Sequence, residues 1–349
     1  MMKKKAPTMR DVARLAEVSV ATVSAVANGT AVVSPKRAER VRKAMEALDF
    51  HPDQIAHSLK TGRTQVLDMI VPDVTNPFYP EVIVGAEEIA RASNYSVMLC
   101  NANEDPKQEQ QQLNTLFSHR VDGVLIACSD PAISLDRLMR RRFPIVCFDR
   151  IPPGFQGDTV ATDNFQGAYE ATRHLISLGH ERIAILAGRS NLSTHSSRLE
   201  GFRRAMADAH LPVHDEFCWP GGMQIDAGYD VGRQLFALRR RPTAVFCTNN
   251  KLLLGLVRAM VESAIRCPED ISIVGFDDFT WTENFHPRLT TVAQPARELG
   301  RKAMQLLIER VENNVDEFPR RQVVLQQELK VRDSGTQPAA SPRRKVLQS

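Results

Sequence analysis

The sequence predicts an all-α head of three short helices followed by an α/β body of two parallel-sheet lobes. Three observations carry this. Residues 8–48 hold three amphipathic helical patterns, each with its own start or stop signal. From Thr64 onward, strand-like runs alternate with helical patterns, an order that calls for parallel sheets with helices on both faces. Charge is also uneven: residues 1–65 carry 12 Lys and Arg against 6 acids, net +6, and the remainder carries 33 against 35, net −2. Positive charge gathered in a small end module points to a polyanion partner, with a solvated basic face as the plainer alternative. A chain of 349 residues has room for such a head and two lobes.

In the head, Thr8 is an N-cap residue, and Asp11 makes a shortened capping box. Val12, Leu15 and Ala16 form the apolar stripe of the first helix. Glu17 and Val18 make a tight turn. Ser19 caps the second helix, whose inward positions are Val23, Val26 and Ala27. Val20, Ala21, Thr22, Ser24 and Ala25 are left to its other faces. Asn28-Gly29 is a stop signal of the left-handed type. Ser34 caps the third helix, with Pro35 at the first helical position. Val41, Met45 and Leu48 supply its stripe, and Lys36, Arg37, Arg40 and Lys43 face outward.

In the body, strands are expected at Val66–Val71, Ser96–Cys100, Gly123–Ala127, Ile145–Phe148, Ile183–Leu186, Ala244–Cys247 and Ile271–Val274. Helical patterns lie between them at Pro80–Arg91, Gln108–Ser118, Gln166–Leu178, Ser197–Ala209 and Leu252–Ser263. A second round of alternation begins near Thr162, which divides the body into two lobes. The end, Asp333–Ser349, contains Gly335, Pro338, Pro342 and Arg343-Arg344-Lys345 and reads as a disordered basic tail. The expected division is head 6–51, hinge and linker 52–63, body 64–333 and tail 334–349.

Several function classes are disfavoured at this level. Lys3-Lys4-Lys5 is not followed by an apolar h-region, so export is not expected. No apolar run is long enough to span a membrane. The six cysteines, at 100, 128, 147, 218, 247 and 267, lack close paired spacing. They read as buried thiols in a reducing compartment, the cytoplasm. There is no Walker loop, HExxH or nucleophile elbow, and the nine histidines show no metal-ligand spacing. No enzymatic activity, metal or cofactor is therefore expected.

Thr8-Met9-Arg10-Asp11-Val12-Ala13, Val18-Ser19, Thr22-Val23-Ser24 and Val26-Ala27-Asn28 closely resemble the helix-turn-helix head of the lactose-repressor/galactose-repressor family. Ile55-Ala56-His57-Ser58-Leu59-Lys60 resembles that family's hinge helix. The resemblance runs to about residue 333. It implies that the second helix reads the major groove of double-stranded DNA. Thr8, Ser19, Val20, Ala21, Thr22, Ser24, Ala25 and Asn28 are then the candidate contacts. The hinge residues His57, Ser58, Leu59 and Lys60 would meet the minor groove, with Leu59 wedged between base pairs. A wedge of this kind unstacks a step at about a few kcal/mol, offset by added contact. A helix so short is marginal alone, so Ala56–Lys60 is expected to order only on DNA. This chain departs from the family pattern at Glu17, where Gly is frequent, at Ala25, where Arg or His is frequent, and at His57, a frequent Arg. Val20 and Ala21 offer methyl contact with thymine, not a bidentate contact with guanine.

The same resemblance implies a body like periplasmic sugar-binding proteins, two Rossmann-like lobes with the ligand between them. Phe78, in Pro72-Asp73-Val74-Thr75-Asn76-Pro77-Phe78-Tyr79, matches an aromatic that covers the ligand. Arg198 matches a gripping arginine, Asp277 an acceptor of ligand hydroxyls, and Asn249 and Gln294 further polar contacts. Asp149-Arg150 ends another strand, Thr194 and Phe246 are additional candidates, and Trp281 could stack on a sugar face. An arginine fork, carboxylates, amides and aromatic faces together suit a polyol. Singly, each has a plainer role: Arg198 a surface ion pair, Trp281 packing, Asp277 a cap. Asn250 stands where many members carry Asp. The implied function is a sequence-specific transcriptional repressor. It would bind a pseudo-palindromic operator as a homodimer, under control of a small-molecule effector, a sugar or sugar derivative. The rivals are a plain binding protein, which has no use for the head, and an architectural DNA binder, which has none for the cleft.

Overall fold

Three helices, α1 (Met9–Leu15), α2 (Val20–Asn28) and α3 (Pro35–Ala47), close the head around Val12, Ala13, Ala16, Val23, Val41, Ala44 and Phe50. The computed structural model describes residues 7–28, 32–50, 63–313 and 319–338, and the chain divides into two units, Met1–Gln65 and Val66–Ser349. The expected hinge helix, Ala56–Lys60, lies outside the described residues.

The capping box forms: Thr8 donates its N–H and its hydroxyl to Asp11 Oδ2 at 2.9 and 2.6 Å. Ser19 Oγ accepts the Thr22 N–H at 3.1 Å. Ser34 makes no side-chain cap bond; its carbonyl accepts from Arg37 and Ala38 instead. Leu15 also departs from expectation. It is 53% exposed, and Ala13 is buried in its place, because the stripe that meets Val23 and Val41 runs through residues 12, 13 and 16. Glu17 adopts φ +51°, the left-handed conformation that the helix-to-helix turn requires.

The first lobe follows the order β1 (Val66–Val71), α4 (Phe78–Ala92), β2 (Ser96–Asn101), α5 (Pro106–His119), β3 (Gly123–Ile126), α6 (Asp136–Arg140), β4 (Ile145–Phe148) and β5 (Asp158–Thr162). The second comprises α7 (Asn164–Ser177), β6 (Ile183–Gly188), α8 (Ser193–Asp208), β7 (Cys218–Pro220), α9 (Ile225–Ala237), β8 (Ala244–Cys247), α10 (Asn250–Glu262), β9 (Ser272–Phe276), α11 (Thr280–Asn284) and β10 (Thr290–Ala293). The chain then returns: α12 (Ala296–Glu312) and β11 (Gln322–Leu325) join the first lobe, and β12 (Glu328–Lys330) joins the second. The sheets run β11-β5-β4-β3-β1-β2 and β12-β10-β9-β8-β6-β7. All their pairings are parallel except β10 with β12.

The anticipated strands are present, with ends shifted by two residues at most. The return of α12 was not legible in the sequence. Its close packing on α4 depends on two glycines. A Cβ on Gly85 would lie 2.0 Å from the Arg297 carbonyl oxygen, and one on Gly300 would lie 1.9 Å from that of Val82. Asp158 anchors the far end of α12. Its fully buried carboxylate accepts from Arg310 Nε and NH2 at 2.9 and 2.8 Å and from Arg321 NH2 at 2.9 Å.

The supposed tail needs correction at its start. Ser334 is fully buried. Its hydroxyl donates to the Ile273 carbonyl at 2.6 Å and accepts the Thr290 N–H at 2.8 Å. Thr336 bonds Ser272 Oγ at 3.0 Å. Polar side chains that look like tail composition here stitch together the starts of two interior strands, β9 and β10. Residues 339–349 lie outside the described residues.

Glu17→Gly is expected to stabilise the head by about 1 kcal/mol, because glycine carries no penalty in the left-handed region. The exposed Arg40–Glu17 pair at 3.5 Å that this change removes is worth little. A head transition that moves down in thermal unfolding would refute this.

Candidate functional site

Ligands of open α/β sheets bind beyond the carboxyl ends of the strands. In the body those ends, from both lobes, surround a cavity of about 20 Å3. It is lined by Asn76, Phe78, Tyr79, Asp149 and Arg150 from the first lobe. Thr194, His195, Arg198, Met223, Asn249, Asp277 and Gln294 come from the second lobe and its return strand end.

Arg198, on α8, is buried. Its Nε donates to Asn164 Oδ1 at 2.7 Å and its NH1 to the Thr248 carbonyl at 2.6 Å. The guanidinium carbon lies 3.5 Å from the centroid of the Phe276 ring, a cation–π stack. Burial lowers the pKa of this guanidinium, against the pull of Asp277 and Asp149. Those two aspartates end β9 and β4 and take φ of +76° and +56°. Left-handed backbone at a non-glycine residue is strain of the kind found at ligand clamps. Burial pushes both carboxyls above the ordinary aspartate value, opposed chiefly by Arg150 at Asp149 and by Arg198 at Asp277.

Each carboxyl is also oriented by neutral groups. The Tyr79 hydroxyl donates to Asp149 Oδ2 at 2.9 Å. Gln294 Nε2 donates to Asp277 Oδ1 at 2.5 Å, and Asn250 Nδ2 to Oδ2 at 3.2 Å. Arg150 is committed to Glu104 by two bonds of 2.9 Å, so it acts as a fixed wall. His195 Nδ1 lies 2.9 Å from the Ala187 carbonyl. A carbonyl only accepts, so Nδ1 carries the proton. Burial holds the ring far below the usual histidine pKa, so it is neutral and Nε2 is an acceptor.

Contacts across the seam hold the lobes together. Asn250 Nδ2 donates to Asn76 Oδ1 at 2.8 Å. Ile151 N–H reaches Ser193 Oγ at 3.2 Å. Lys251 Nζ, on α10, bonds Asp73 and also Thr75 Oγ1 at 3.0 Å, together with Gln224 of its own lobe at 3.1 Å.

Eight expected effector residues therefore converge: Phe78, Asp149, Arg150, Thr194, Arg198, Asn249, Asp277 and Gln294. Two do not. Phe246 is fully buried in the core of the second lobe beside Phe276, because alternation along β8 turns it into the layer of α7 and α8. Trp281 packs on the opposite core and lines a larger adjoining cleft of about 930 Å3, which shares Phe78, Asp277 and Gln294 with the site. Asp277 is not a cap; α11 starts at Thr280, with Phe279 at its N-cap position. Asn76, Tyr79, His195 and Met223 were missed. The first two stand in the loop already singled out, whereas nothing local marks Met223.

In the head, the outer surface of α2 is open. Thr8, Ser19 and Ala21 are exposed, Val20 is 43% exposed, and Thr22, Ser24 and Ala25 are half-buried. Asn28 ends the helix, and its side chain lies outside the described residues, as do His57, Ser58, Leu59 and Lys60. Among the described residues, no helix is long and apolar enough to cross a membrane.

Lys251→Met is expected to loosen closure of the lobes and raise the radius of gyration in X-ray scattering. An unchanged radius would show that the contact to Asp73 and Thr75 does not hold the seam.

Residues 8–53 match the family described as bacterial regulatory proteins, lacI family. Residues 64–330 match periplasmic binding proteins and sugar binding domain of LacI family. A relative named HTH-type transcriptional repressor PurR, from Vibrio parahaemolyticus, is 36% identical over 94% of this chain and 98% of its own. A LacI family transcriptional regulator from Enterococcus faecium with bound ribose is 32% identical, with TM-score 0.69 over 78% of this chain and 100% of that one. The lac repressor dimer bound to operator and the anti-inducer ONPF is 25% identical, with TM-score 0.83 over 95% of this chain and 100% of that one. The chain belongs to the LacI family of bacterial transcriptional regulators.

Proposed function

We propose that this LacI-family repressor responds to a neutral monosaccharide held in the seam between its lobes. The observation that carries the reading is the charge balance. Arg150, Arg198 and, at the rim, Arg189 stand against Glu104, Asp149 and Asp277, so the site has no cationic excess to compensate an anion. Oriented carboxyls, a fork on an aromatic face and the His195 acceptor suit hydroxyl groups. The related regulator with bound ribose supports a sugar of one ring.

The rest of the reading follows the family. The protein is a homodimeric, DNA-binding repressor under small-molecule control, and it works in the cytoplasm, on the nucleoid when bound. The outer face of α2 enters the major groove of a pseudo-palindromic operator. Hinge residues His57, Ser58, Leu59 and Lys60 fold in the minor groove, with Leu59 as the wedge. Effector binding changes the apposition of the lobes, and with it the paired hinges. The coupling is reciprocal, typically about 1–3 kcal/mol.

A thermal-shift screen against pentoses, hexoses, sugar acids, sugar phosphates and nucleobases tests the effector class. A neutral sugar at a hundred times its dissociation constant should stabilise the protein by about 2.7 kcal/mol. Arg198→Ala should abolish that response and leave operator binding intact. A response confined to sugar phosphates or nucleobases would overturn the reading. Leu59→Ala should weaken operator binding at least about tenfold, or 1.4 kcal/mol, with little change in effector affinity. Equal operator affinity in that variant would remove the wedge.

A further inference from the structure

We propose that the second lobe carries an anion site at the end of its sheet remote from the seam, and that it takes a ligand bearing two or more linked phosphoryl groups. Arg182 immediately precedes β6, Arg239, Arg240 and Arg241 precede β8, and Asp270 precedes β9. With Pro242 and Thr243 they line a cleft of about 480 Å3. These are strand starts, whereas the seam lies at the strand ends. The length of six-residue β6 therefore separates the two sites by about 20 Å, and the ligand does not compete with the effector.

The backbone that bears these arginines is fixed. Thr243 N–H donates to the Arg182 carbonyl at 2.8 Å, and Arg182 Nε donates to the Arg241 carbonyl at 3.2 Å. Thr243 Oγ1 meets His180 Nδ1 at 2.9 Å, and the other ring nitrogen of that buried histidine meets the Thr336 carbonyl at 2.8 Å. The guanidinium groups, by contrast, are exposed, and among the described residues none of the four is in an ion pair. The one carboxylate in the wall is already engaged. Arg266 donates its N–H and Nε to Asp270 Oδ2 at 2.9 and 3.0 Å and its NH2 to Oδ1 at 3.1 Å. Glu181 and Glu269 flank the cleft in sequence without pairing to these arginines.

Four guanidinium groups held together repel one another, and an anion of several charges relieves that repulsion. Planar forks match phosphoryl oxygens two at a time. Four forks that each take two phosphoryl oxygens call for more oxygens than one phosphate offers, and the cleft of about 480 Å3 has room for more than one, which is why the ligand is a linked phosphate.

Titration calorimetry of the full chain with inorganic tripolyphosphate tests this. Saturable binding of one anion per subunit is expected, weakening as salt rises. Arg240→Gln with Arg241→Gln should reduce the affinity at least tenfold, and Arg182→Gln alone should reduce it measurably. Arg91→Gln with Lys107→Gln removes the same charge from the first lobe and should leave the affinity unchanged. ATP in a parallel titration separates the sources. Tighter binding than tripolyphosphate, lost in the same variants, assigns the site to nucleotides; weaker binding assigns it to inorganic polyphosphate. No binding of either anion, or equal loss in the first-lobe control, would overturn the proposal.

Discussion

The body depends on one buried cation. Arg198 has no carboxylate in direct hydrogen bond; the carbonyls of Asn164 and Thr248 and the face of Phe276 hold it. Its compensating charges are Asp277 of its own lobe and Asp149 of the other. An ion removed from water is tolerated only where opposite charge and hydrogen bonds replace the hydration shell. Neither lobe meets that condition for the whole cluster alone, so closure of the seam is part of the electrostatics of the site. A polyol is well suited to this setting. It brings hydroxyl donors to carboxyls and acceptors to the guanidinium without adding net charge.

The strain at Asp149 and Asp277 belongs to the same design. Both residues end a central strand in left-handed backbone, which turns each carboxyl back over the strand end toward the seam. Neutral partners fix their orientation: Tyr79 on one, Gln294 and Asn250 on the other. Gln294 also accepts from Thr162 at 2.5 Å. These two residues lie at two of the chain crossings between lobes, so the Asp277 carboxyl is wired to two of the segments that join them. Under the proposed effector control, that is a physical route by which occupancy of the seam biases lobe apposition.

The head works by different physics. Its core is small, and the outer surface of α2 carries short side chains. Affinity from such a surface rests on charge. The net +6 of residues 1–65 supplies it, and under the proposed docking of α2 base selection falls to methyl and hydroxyl contacts.

The sequence by itself determined the local features: three capped helices, the strand-to-helix alternation, and the loops that hold Phe78, Asp149, Asn249 and Asp277. Those signals are periodicities and caps within a dozen residues. Resemblance marked Phe78, Arg198, Asn249, Asp277 and Gln294 themselves. Only the tertiary structure decided that α12 and β11 return to the first lobe, because that depends on glycine contacts such as Gly85 with Arg297, far apart in the chain. It likewise decided that Phe246 faces the core and Trp281 an adjoining cleft, since sequence pattern does not tell which side of a buried strand or short helix meets a ligand. Ser334 and Thr336 looked like tail because their composition is polar, yet their partners, Ile273, Thr290 and Ser272, are strand groups some forty to sixty residues away. Long-range pairing of polar groups leaves no local mark in a sequence, and that is where its reading ended.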